Sequence, residues 1–247
     1  MRESATRLEI VDASTFFGSW PKQSLDMSVD ALLRLMDKEG IARALTVSAK
    51  GIWYDYEEGN QDTLAVCEAN ERFIPVGTID PRKWYGKGDP VARLRDQGFR
   101  ICRLFNAIQA WPIEYAPFDD LLSLLSEHRM PFVLDVAPNA TLTQISERVW
   151  GCDVPVILVG ISYGNLAEAI SVCRKNLDLH IETQKLNSPD GFEILVSELG
   201  ADRLIFGSRS PFDYAQSPLL MLKSTKLSDA DKAKIAGRNI LRILEGQ

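Results

Sequence analysis

The sequence is poor in the side chains that most often bind transition metals. Its 247 residues include only two histidines, His128 and His180. Four cysteines are present, but they lie far apart and form no Cys-x-x-Cys motif or other metal-binding spacing. We therefore expect ordinary buried thiols rather than a cysteine metal site.

Two kinds of partner are also disfavoured by what the sequence lacks. The 34 acidic and 28 basic residues are mixed along the chain and give a net charge of −6, so no basic stripe is available to follow phosphates. No stretch approaches the roughly 20 apolar residues needed to span a bilayer, and the first residues lack the apolar run of a secretory signal. We expect a cytoplasmic protein that binds neither nucleic acid nor membrane.

What is present is a regular alternation of short apolar runs and segments with helical periodicity. The apolar content is 45% and no linker or low-complexity segment interrupts the chain, so we predict one domain over residues 1–247. Eight apolar runs are rich in Val, Ile, Leu and Phe, as is typical of buried parallel strands. They are Leu8 to Ser14, Arg43 to Ala49, Phe73 to Asp80, Arg100 to Phe105, Pro131 to Val136, Pro155 to Ile161, Leu177 to Thr183 and Arg203 to Ser208.

The segments between these runs begin like helices. Ser28, Asn165 and Ser228 precede apolar-periodic segments as N-cap candidates, and Asp89 is followed by Pro90 at the first helical position. The spacing of about 28 residues per unit predicts a (β/α)8 TIM barrel in the α/β class. Alternation alone also permits a doubly wound open sheet, but no glycine-rich dinucleotide loop follows the first strand.

The loops after the first four predicted strands are unusually aromatic. They contain Trp20, Trp53, Trp84 and Trp111, four of the five tryptophans. In a TIM barrel such loops surround the active site, so these side chains are candidate ligand contacts for a planar or apolar molecule. The alternative is that they pack on one another or on a partner subunit.

Several segments resemble motifs of one enzyme family. IVDASTFFG is similar to an I-D-x-H-x-H-x-G opening, GFRICRLF to a G-F-x-G-x-R-L strand, and PFVLDV to a P-V-x-x-H strand. PVILVGISYGN, GADRLIFGSRSPF and AGRNILRIL match later motifs in the same order. From Ile10 to Leu244 the chain thus resembles the amidohydrolase superfamily, in particular the amidohydrolase-2 branch that includes amino-carboxymuconate-semialdehyde decarboxylase.

The resemblance also shows where this sequence departs from the family. Family members bind a metal through two histidines of the first strand, histidines after the fifth and sixth strands and an aspartate after the eighth. The corresponding residues here are Ser14, Phe16, Asp135, Gly160 and Arg209. Gly and Phe offer no side-chain ligand and Arg carries a positive charge. We therefore expect no metal or other cofactor.

Charged residues nevertheless remain at the predicted mouth of the barrel. Arg103 lies on the fourth predicted strand, Asp135 ends the fifth and Arg209 follows the eighth. We predict that Arg103 and Arg209 clamp a substrate carboxylate while Asp135 acts as general base or acid. The alternative is a structural ion pair between Asp135 and Arg209 that fills the space of a lost metal.

The first and seventh strands contribute further candidates. Asp12, Ser14 and Phe16 share one strand face and are predicted ligand contacts, although an inward carboxylate such as Asp12 is ordinarily a buried hydrogen-bond anchor. His180 and Glu182 share a face of the seventh strand and could act as acid and base, unless His180 is structural.

Two function classes stay open. As an enzyme, the protein would be a metal-independent hydrolase, lyase or decarboxylase that acts on a small carboxylated compound, with arginine as the positive group. As a non-catalytic protein, it would be an inactive amidohydrolase-like subunit that binds a ligand or supports a related partner. A metal enzyme with unusual ligands is disfavoured because too few donors remain. A homodimer or pairing with a related subunit is compatible with either class.

Overall fold

The chain folds around a closed barrel of parallel strands. The computed structural model describes residues 8–22 and 24–246. In chain order the strands are β1 (Ile10–Phe17), β2 (Ile41–Ser48), β3 (Phe73–Pro75), β4 (Gly77–Thr78), β5 (Cys102–Arg103), β6 (Phe132–Asp135), β7 (Val156–Val159), β8 (Leu179–Glu182) and β9 (Leu204–Ile205). All strand pairs are parallel, so each connection crosses over through a helical segment.

Two hydrogen-bonded sheets join to make the barrel. The orders are β1-β2-β3 and β4-β5-β6-β7-β8-β9. β3 and β4 are halves of one bent strand, because Val76 N donates to Thr46 O of β2 at 3.1 Å and the next amide, Gly77 N, donates to Ile101 O at 3.0 Å. At the other seam, Ala13 N donates to Phe206 O at 3.0 Å. The eight-stranded barrel is confirmed, and the open sheet is wrong.

Helices surround the barrel. They are α1 (Val29–Glu39), α2 (Ala49–Trp53), α3 (Tyr56–Ala69), α4 (Pro90–Asp96), α5 (Asn106–Gln109), α6 (Ala116–Glu127), α7 (Leu142–Arg148), α8 (Leu166–Lys175), α9 (Gly191–Leu199), α10 (Gln216–Ser224), α11 (Asp229–Ala233) and α12 (Asn239–Glu245). A π-helical turn, Lys234–Arg238, joins α11 to α12, and 3-10 turns cover Tyr163–Asn165 and Ala201–Arg203. Within the described residues, no helix has the length and apolar character to cross a membrane.

Most of the predicted N-caps do cap their helices. Ser28 accepts from Ala31 N, Asp89 from Ala92 N and Ser228 from Asp231 N. Asn165 precedes α8, but its side chain instead accepts from Ser162 N at 2.7 Å, so it caps the preceding 3-10 turn rather than the helix. The four cysteines are free thiols.

The apolar core has an inner and an outer part. Alternation along the strands separates them: Val133 and Ile157 belong to the inner core, whereas Phe132 and Leu134 pack outward against the helices. Ile240 and Ile243 of α12 join the inner core. The carboxyl ends of the strands are where the polar side chains collect.

Candidate active site

A group of polar side chains lies inside the barrel at the carboxyl ends of four strands. We call it the buried polar cluster; its members are Asp12 and Ser14 of β1, Arg103 of β5, Asp135 of β6 and Glu182 of β8. The Asp135 side chain is the most accessible of them, at 13%. The structure therefore brings together five of the residues proposed from the sequence.

Arg103 connects two sides of this cluster. Its Nη1 donates to Ser14 Oγ at 2.8 Å and its Nη2 to Asp135 Oδ1 at 3.2 Å. The guanidinium carbon lies 5.0 and 5.1 Å from the ring centroids of Phe16 and Phe105. Hydrogen bonds and cation–π contacts on the same group fix the position of its positive charge.

Asp135 is itself held in place by a neighbouring amide side chain. Asn106 Nδ2 donates to Asp135 O at 2.8 Å, and Asp135 N donates to Asn106 Oδ1 at 3.0 Å. This reciprocal pair fixes the backbone of Asp135 at the end of β6. Asn106 was not among the predicted site residues because its role depends on a contact between two loops that the sequence does not reveal.

Asp12 joins the first and last strands of the barrel. Its Oδ1 accepts from Ser14 N at 3.0 Å and from Ser208 N at 2.9 Å, and its Oδ2 accepts from Ser208 Oγ. Ser208 Oγ and Ser210 Oγ lie 2.7 Å apart. Burial raises the pKa of Asp12 to about 6, although the hydrogen bonds from Ser208 and Ser14 oppose the shift. Both carboxylate oxygens are bonded within the chain, which favours the anchor interpretation over direct ligand contact.

Glu182 is an acid held in a dry environment. It is 1% exposed, and burial raises its pKa to about 8; Arg103 lowers that pKa, whereas Asp12 and Asp135 raise it. Its Oε1 accepts from Gln184 N at 3.0 Å. A β-carbon at Gly207 would overlap the same oxygen, so glycine provides the space for this carboxyl group. At neutral pH, Glu182 is mainly protonated and can donate a proton.

Three polar atoms of the cluster have no hydrogen-bond partner among the described residues. They are Arg103 Nε, Asp135 Oδ2 and Glu182 Oε2. Buried polar atoms are paired in most proteins because each unpaired one costs about 1–3 kcal/mol. The unpaired donor and the two unpaired carboxyl oxygens lie in one cluster and could bond to a ligand there, so the cluster is a candidate binding or catalytic site.

Aromatic side chains cover this end of the inner core. The ring centroid of Trp20 lies 5.2 Å from that of Trp53 and 4.4 Å from that of Phe212, in edge-on contacts. Phe16 contacts Phe212 at 5.3 Å. The aromatic roof formed by Phe16, Trp20, Trp53 and Phe212 thus includes two of the predicted tryptophans, and they pack on one another. Phe212 was missed by the sequence reasoning.

Trp84 and Trp111 were predicted to join this roof, and that placement is wrong. Both belong to the outer core. Trp111 Nε1 donates to Gln109 Oε1 at 3.0 Å, and its ring lies 5.3 Å from that of Phe118 on α6. Trp84 Nε1 donates to Lys87 O at 3.3 Å, so both indole N–H groups are paired, and a large ring whose N–H is paired is buried readily.

The predicted ion pair between Asp135 and Arg209 is also wrong. Arg209 Nη1 lies 3.3 Å from Asp213 Oδ2, and its guanidinium lies 5.4 Å from the Phe212 ring centroid. Asp135 pairs with Arg103 on the adjacent strand β5 instead. Arg209 has a left-handed backbone with φ 60° at the start of a turn, and its side chain is one-third exposed. The turn directs it to its near neighbours at the rim.

His180 does not form an acid–base pair with Glu182. Burial, together with the positive charges of Arg203 and Arg242, lowers its pKa to about 3. Arg203 precedes β9 and Arg242 lies on α12, so these neighbours belong to the amino end of the barrel. His180 and Glu182 share a strand face, as predicted, but the two-residue step places them in different environments. His128, the other histidine, contacts Asp89 at 2.6 Å outside the barrel.

The residues at the expected metal-ligand positions do not fit a divalent metal. Ser14 and Asp135 are bonded to Arg103, Phe16 has no donor and Arg209 is cationic. Gly160 has φ 105°, and a β-carbon there would lie 3.1 Å from Val136 O, so the backbone itself favours glycine. Within residues 8–22 and 24–246, no three His, Cys, Asp or Glu side chains converge on a point that could hold a metal.

Comparison with known proteins identifies similar folds but no sequence relative. No protein-family model matches the chain, and no curated protein matches it. A TIM-barrel protein of Bordetella bronchiseptica is 17% identical, with a TM-score of 0.76 over 97% of this chain and 100% of its own. A 2,6-dihydroxybenzoate decarboxylase from Rhizobium is 15% identical, with a TM-score of 0.76 over 97% and 99% of the two chains.

A third similar structure contains a metal. It is a dihydroxybenzoic acid decarboxylase from Polaromonas with bound manganese and the inhibitor 2-nitroresorcinol. It is 14% identical, with a TM-score of 0.73 over 97% of each chain. These TM-scores show a shared α/β barrel fold, and at such low identities they show the fold alone, so the chemistry has to be argued from the residues of this chain.

Proposed function

We propose that this protein is an amidohydrolase-like enzyme that acts on a small carboxylated compound by acid–base chemistry without a bound metal. The observation that carries the proposal is the buried polar cluster, in which Arg103, Asp135 and Glu182 each have one polar atom without a partner among the described residues. The cluster lies at the carboxyl ends of the strands, where TIM-barrel enzymes place their active sites. The sequence motifs and the decarboxylases of similar fold support the same class of substrate.

The three side chains supply complementary functions. Arg103 provides a fixed positive charge for an anionic substrate. Glu182, protonated at neutral pH, is the proton donor, and Asp135, more accessible and with Oδ2 unpaired, is the proton acceptor. In a decarboxylation the carbon–carboxylate bond breaks, carbon dioxide leaves, and the electron pair left on carbon takes the proton of Glu182. In a hydrolysis Asp135 would take a proton from the water that attacks the carbonyl carbon, the bond from that carbon to the leaving group would break, and Glu182 would protonate the leaving group.

The test measures metal content and turnover on the same preparation. We expect elemental analysis to find no stoichiometric zinc, iron or manganese. Carbon dioxide release from a panel of hydroxybenzoates, beginning with 2,6-dihydroxybenzoate, should be insensitive to chelators. Glu182→Gln and Asp135→Asn should each lower kcat by about 100-fold or more, as the loss of a general acid or base does.

A matched control is available at the rim. Asp213 pairs with the exposed Arg209, so Asp213→Asn changes a nearby charge without altering the cluster, and we expect its activity to match that of the wild type. Near one equivalent of a metal that is required for turnover would contradict the metal-free proposal. Glu182→Gln activity equal to wild type would contradict the assignment of the acid.

The aromatic roof favours a second candidate, a non-catalytic ligand-binding or partner subunit. Asp12, Ser14, Arg103 and Glu182 are all less than 5% exposed beneath it. We infer that a ligand reaches Arg103 by displacing Trp20 or Phe212, because these rings pack together over this end of the inner core. Calorimetric binding of a carboxylated ligand with no turnover would support this alternative, and Arg103→Met should abolish that binding.

A further inference from the structure

A cavity opens at the amino end of the barrel, away from the buried polar cluster. Its volume is about 570 Å³, within the range of about 300–1,000 Å³ that is usual for small-molecule sites. The segments that precede β5, β6 and β7 and the end of α12 form its walls. Three arginines lie on these walls: Arg95, Arg100 and Arg129. We call it the arginine cavity.

These arginines differ from most others in the protein. Ten described arginines form an ion pair with a carboxylate. Of those without such a pair within residues 8–22 and 24–246, Arg203 donates to the carbonyl oxygens of Leu179 and Asn176. The remaining four are Arg95, Arg100, Arg129 and Arg238, and the first three line the same cavity.

The hydrogen bonds of these three arginines leave most of their donors unused. Arg95 Nη1 donates to His128 O, whereas the guanidinium groups of Arg100 and Arg129 have no partner among the described residues. Asp153 and Glu245 are the acidic residues of the lining, and neither forms an ion pair with them. The three arginines and two acidic residues give the described lining a net charge of +1, and none of its arginines is paired with a carboxylate of the described chain.

The backbone at Arg129 adds a second observation. Arg129 directly follows His128, the C-cap of α6, and has a left-handed backbone with φ 47°. Glycine fills the left-handed position that ends α1, where Gly40 has φ 73°. A residue with a β-carbon costs about 1 kcal/mol or more in this conformation. The chain thus presents a guanidinium to the cavity from a position that favours glycine.

We propose that the arginine cavity binds a small polyanion, a molecule with two or more phosphate or carboxylate groups. Planar guanidinium groups bind both kinds of oxyanion in a forked geometry, and three of them on one cavity can neutralise several charges. The apolar side chains of Phe99, Met130 and Ile243 on the same walls lower the local dielectric and strengthen these contacts. Ile243 lies on α12 and also belongs to the inner core, so a ligand in the arginine cavity would contact α12 where this helix packs into the barrel.

The experiment is calorimetric titration of the full-length protein at low ionic strength, with inorganic pyrophosphate and with citrate in separate arms. Binding of pyrophosphate alone would identify a phosphate site, and binding of citrate alone a carboxylate site. We expect the double variant Arg100→Gln with Arg129→Gly to raise the Kd for the anion by at least about tenfold, because charge-assisted hydrogen bonds are lost.

A matched control separates this site from general attraction of anions. Arg238 also has no carboxylate partner within residues 8–22 and 24–246, but it lines a different cavity, together with Glu9 and Asp229. Arg238→Gln removes one positive charge elsewhere and should bind the anion as the wild type does. The proposal is overturned if neither anion binds at millimolar concentration, or if Arg238→Gln weakens binding as much as the double variant while circular dichroism shows both folded.

Discussion

The two ends of the barrel differ in the burial and pairing of their arginines. At the carboxyl end, Arg103 is buried and bonded to Ser14 and Asp135. At the amino end, Arg100 and Arg129 are exposed and have no partner among the described residues. A buried charge without a partner costs several kcal/mol, whereas an exposed one costs little because water solvates it. Burial, rather than residue type, therefore decides which arginines must be paired by the protein itself and which remain available to a ligand.

The largest expected effect comes from removing the buried arginine. Arg103→Met leaves the Asp135 carboxylate without its cationic partner and Ser14 Oγ without its donor, and should lower the free energy of unfolding by about 3–5 kcal/mol. Arg100→Met at the other end should change it by less than about 0.5 kcal/mol. Urea denaturation of both variants measures the difference directly.

A double variant shows whether the cost arises from the unpaired charge. Arg103→Met with Asp135→Leu removes both partners, and apolar pairs of similar volume often restore stability. We expect it to recover at least half of the loss in Arg103→Met. If Arg103→Met alone were as stable as Arg100→Met, the contrast between the two ends would be wrong.

A second test of the tight burial of charged groups at the carboxyl end fills the space that the Glu182 carboxyl group occupies. A β-carbon at Gly207 would overlap Glu182 Oε1, so Gly207→Ala should displace the carboxyl group and cost about 1–3 kcal/mol. Gly164 also lies at the carboxyl end, but a β-carbon there meets nothing within 4 Å. Gly164→Ala should therefore be close to neutral in the same thermal melt. Equal effects of the two substitutions would show that Glu182 is not tightly packed.

The third prediction uses the opposite pKa shifts of two side chains on one strand. Burial favours the neutral form of each, so it raises the pKa of Glu182 from 4.5 to about 8 and lowers that of His180 from 6.5 to about 3. Between pH 4.5 and 8, Glu182 is protonated in the folded protein but ionised in the unfolded chain. Its contribution to the free energy of unfolding therefore falls as pH rises. Folded His180 lacks a proton that the unfolded chain binds below pH 6.5, so its contribution falls as pH drops.

Between pH 6.5 and 8 Glu182 is therefore the group that dominates the pH dependence, since Asp12, with a pKa of about 6, has largely titrated below this window. The free energy of unfolding should fall by about 2 kcal/mol across this interval, at 1.36 kcal/mol per pKa unit. Glu182→Gln should abolish the slope, which chemical denaturation at several pH values will measure. A flat wild-type profile would show that Glu182 is ionised in the folded protein.

The fold could be predicted from the sequence because it depends on patterns that are local and repeated. Eight apolar runs with helical segments between them give the barrel, and the predicted runs overlap all of the observed strands. The boundaries were less accurate: β5 covers only Cys102–Arg103, and the third run is divided into β3 and β4 at Val76. That division reflects the bend by which one strand pairs with β2 and then with β5.

The site was predicted only in part because side-chain partners depend on which residues neighbouring strands and helices bring together in space. Strand alternation predicted one face for Asp12, Ser14 and Phe16, although the pairing of β1 with β2 is irregular between Asp12 and Thr15. The strand ends pointed to Asp135 and Glu182, and the functional roles of all five residues stay predictions. Nothing in the sequence indicated that Asp135 would pair with Arg103 rather than Arg209, since both arginines lie near the same end. Ser208 was also missed, although its position in FGSRSPF, after the last strand and beside the seam with β1, is the signal that could have suggested it.

The smallest predicted effect compares two arginines that share an unfavourable backbone, one at each end. Arg129 has φ 47° and Arg209 has φ 60°, and a glycine at either position would relieve the strain of the left-handed conformation. Arg209 also pairs with Asp213 and lies over Phe212, contacts worth about 0.5–1 kcal/mol each at exposed sites. Arg129→Gly should therefore raise the free energy of unfolding by about 0.5 kcal/mol, whereas Arg209→Gly should leave it unchanged or lower it by a similar amount. Thermal melts of the two variants in the absence of added anions will give the sign of each change in the free energy of unfolding. If Arg209→Gly stabilised the protein and Arg129→Gly destabilised it, Arg129 rather than Arg209 would be the arginine with partners within the protein.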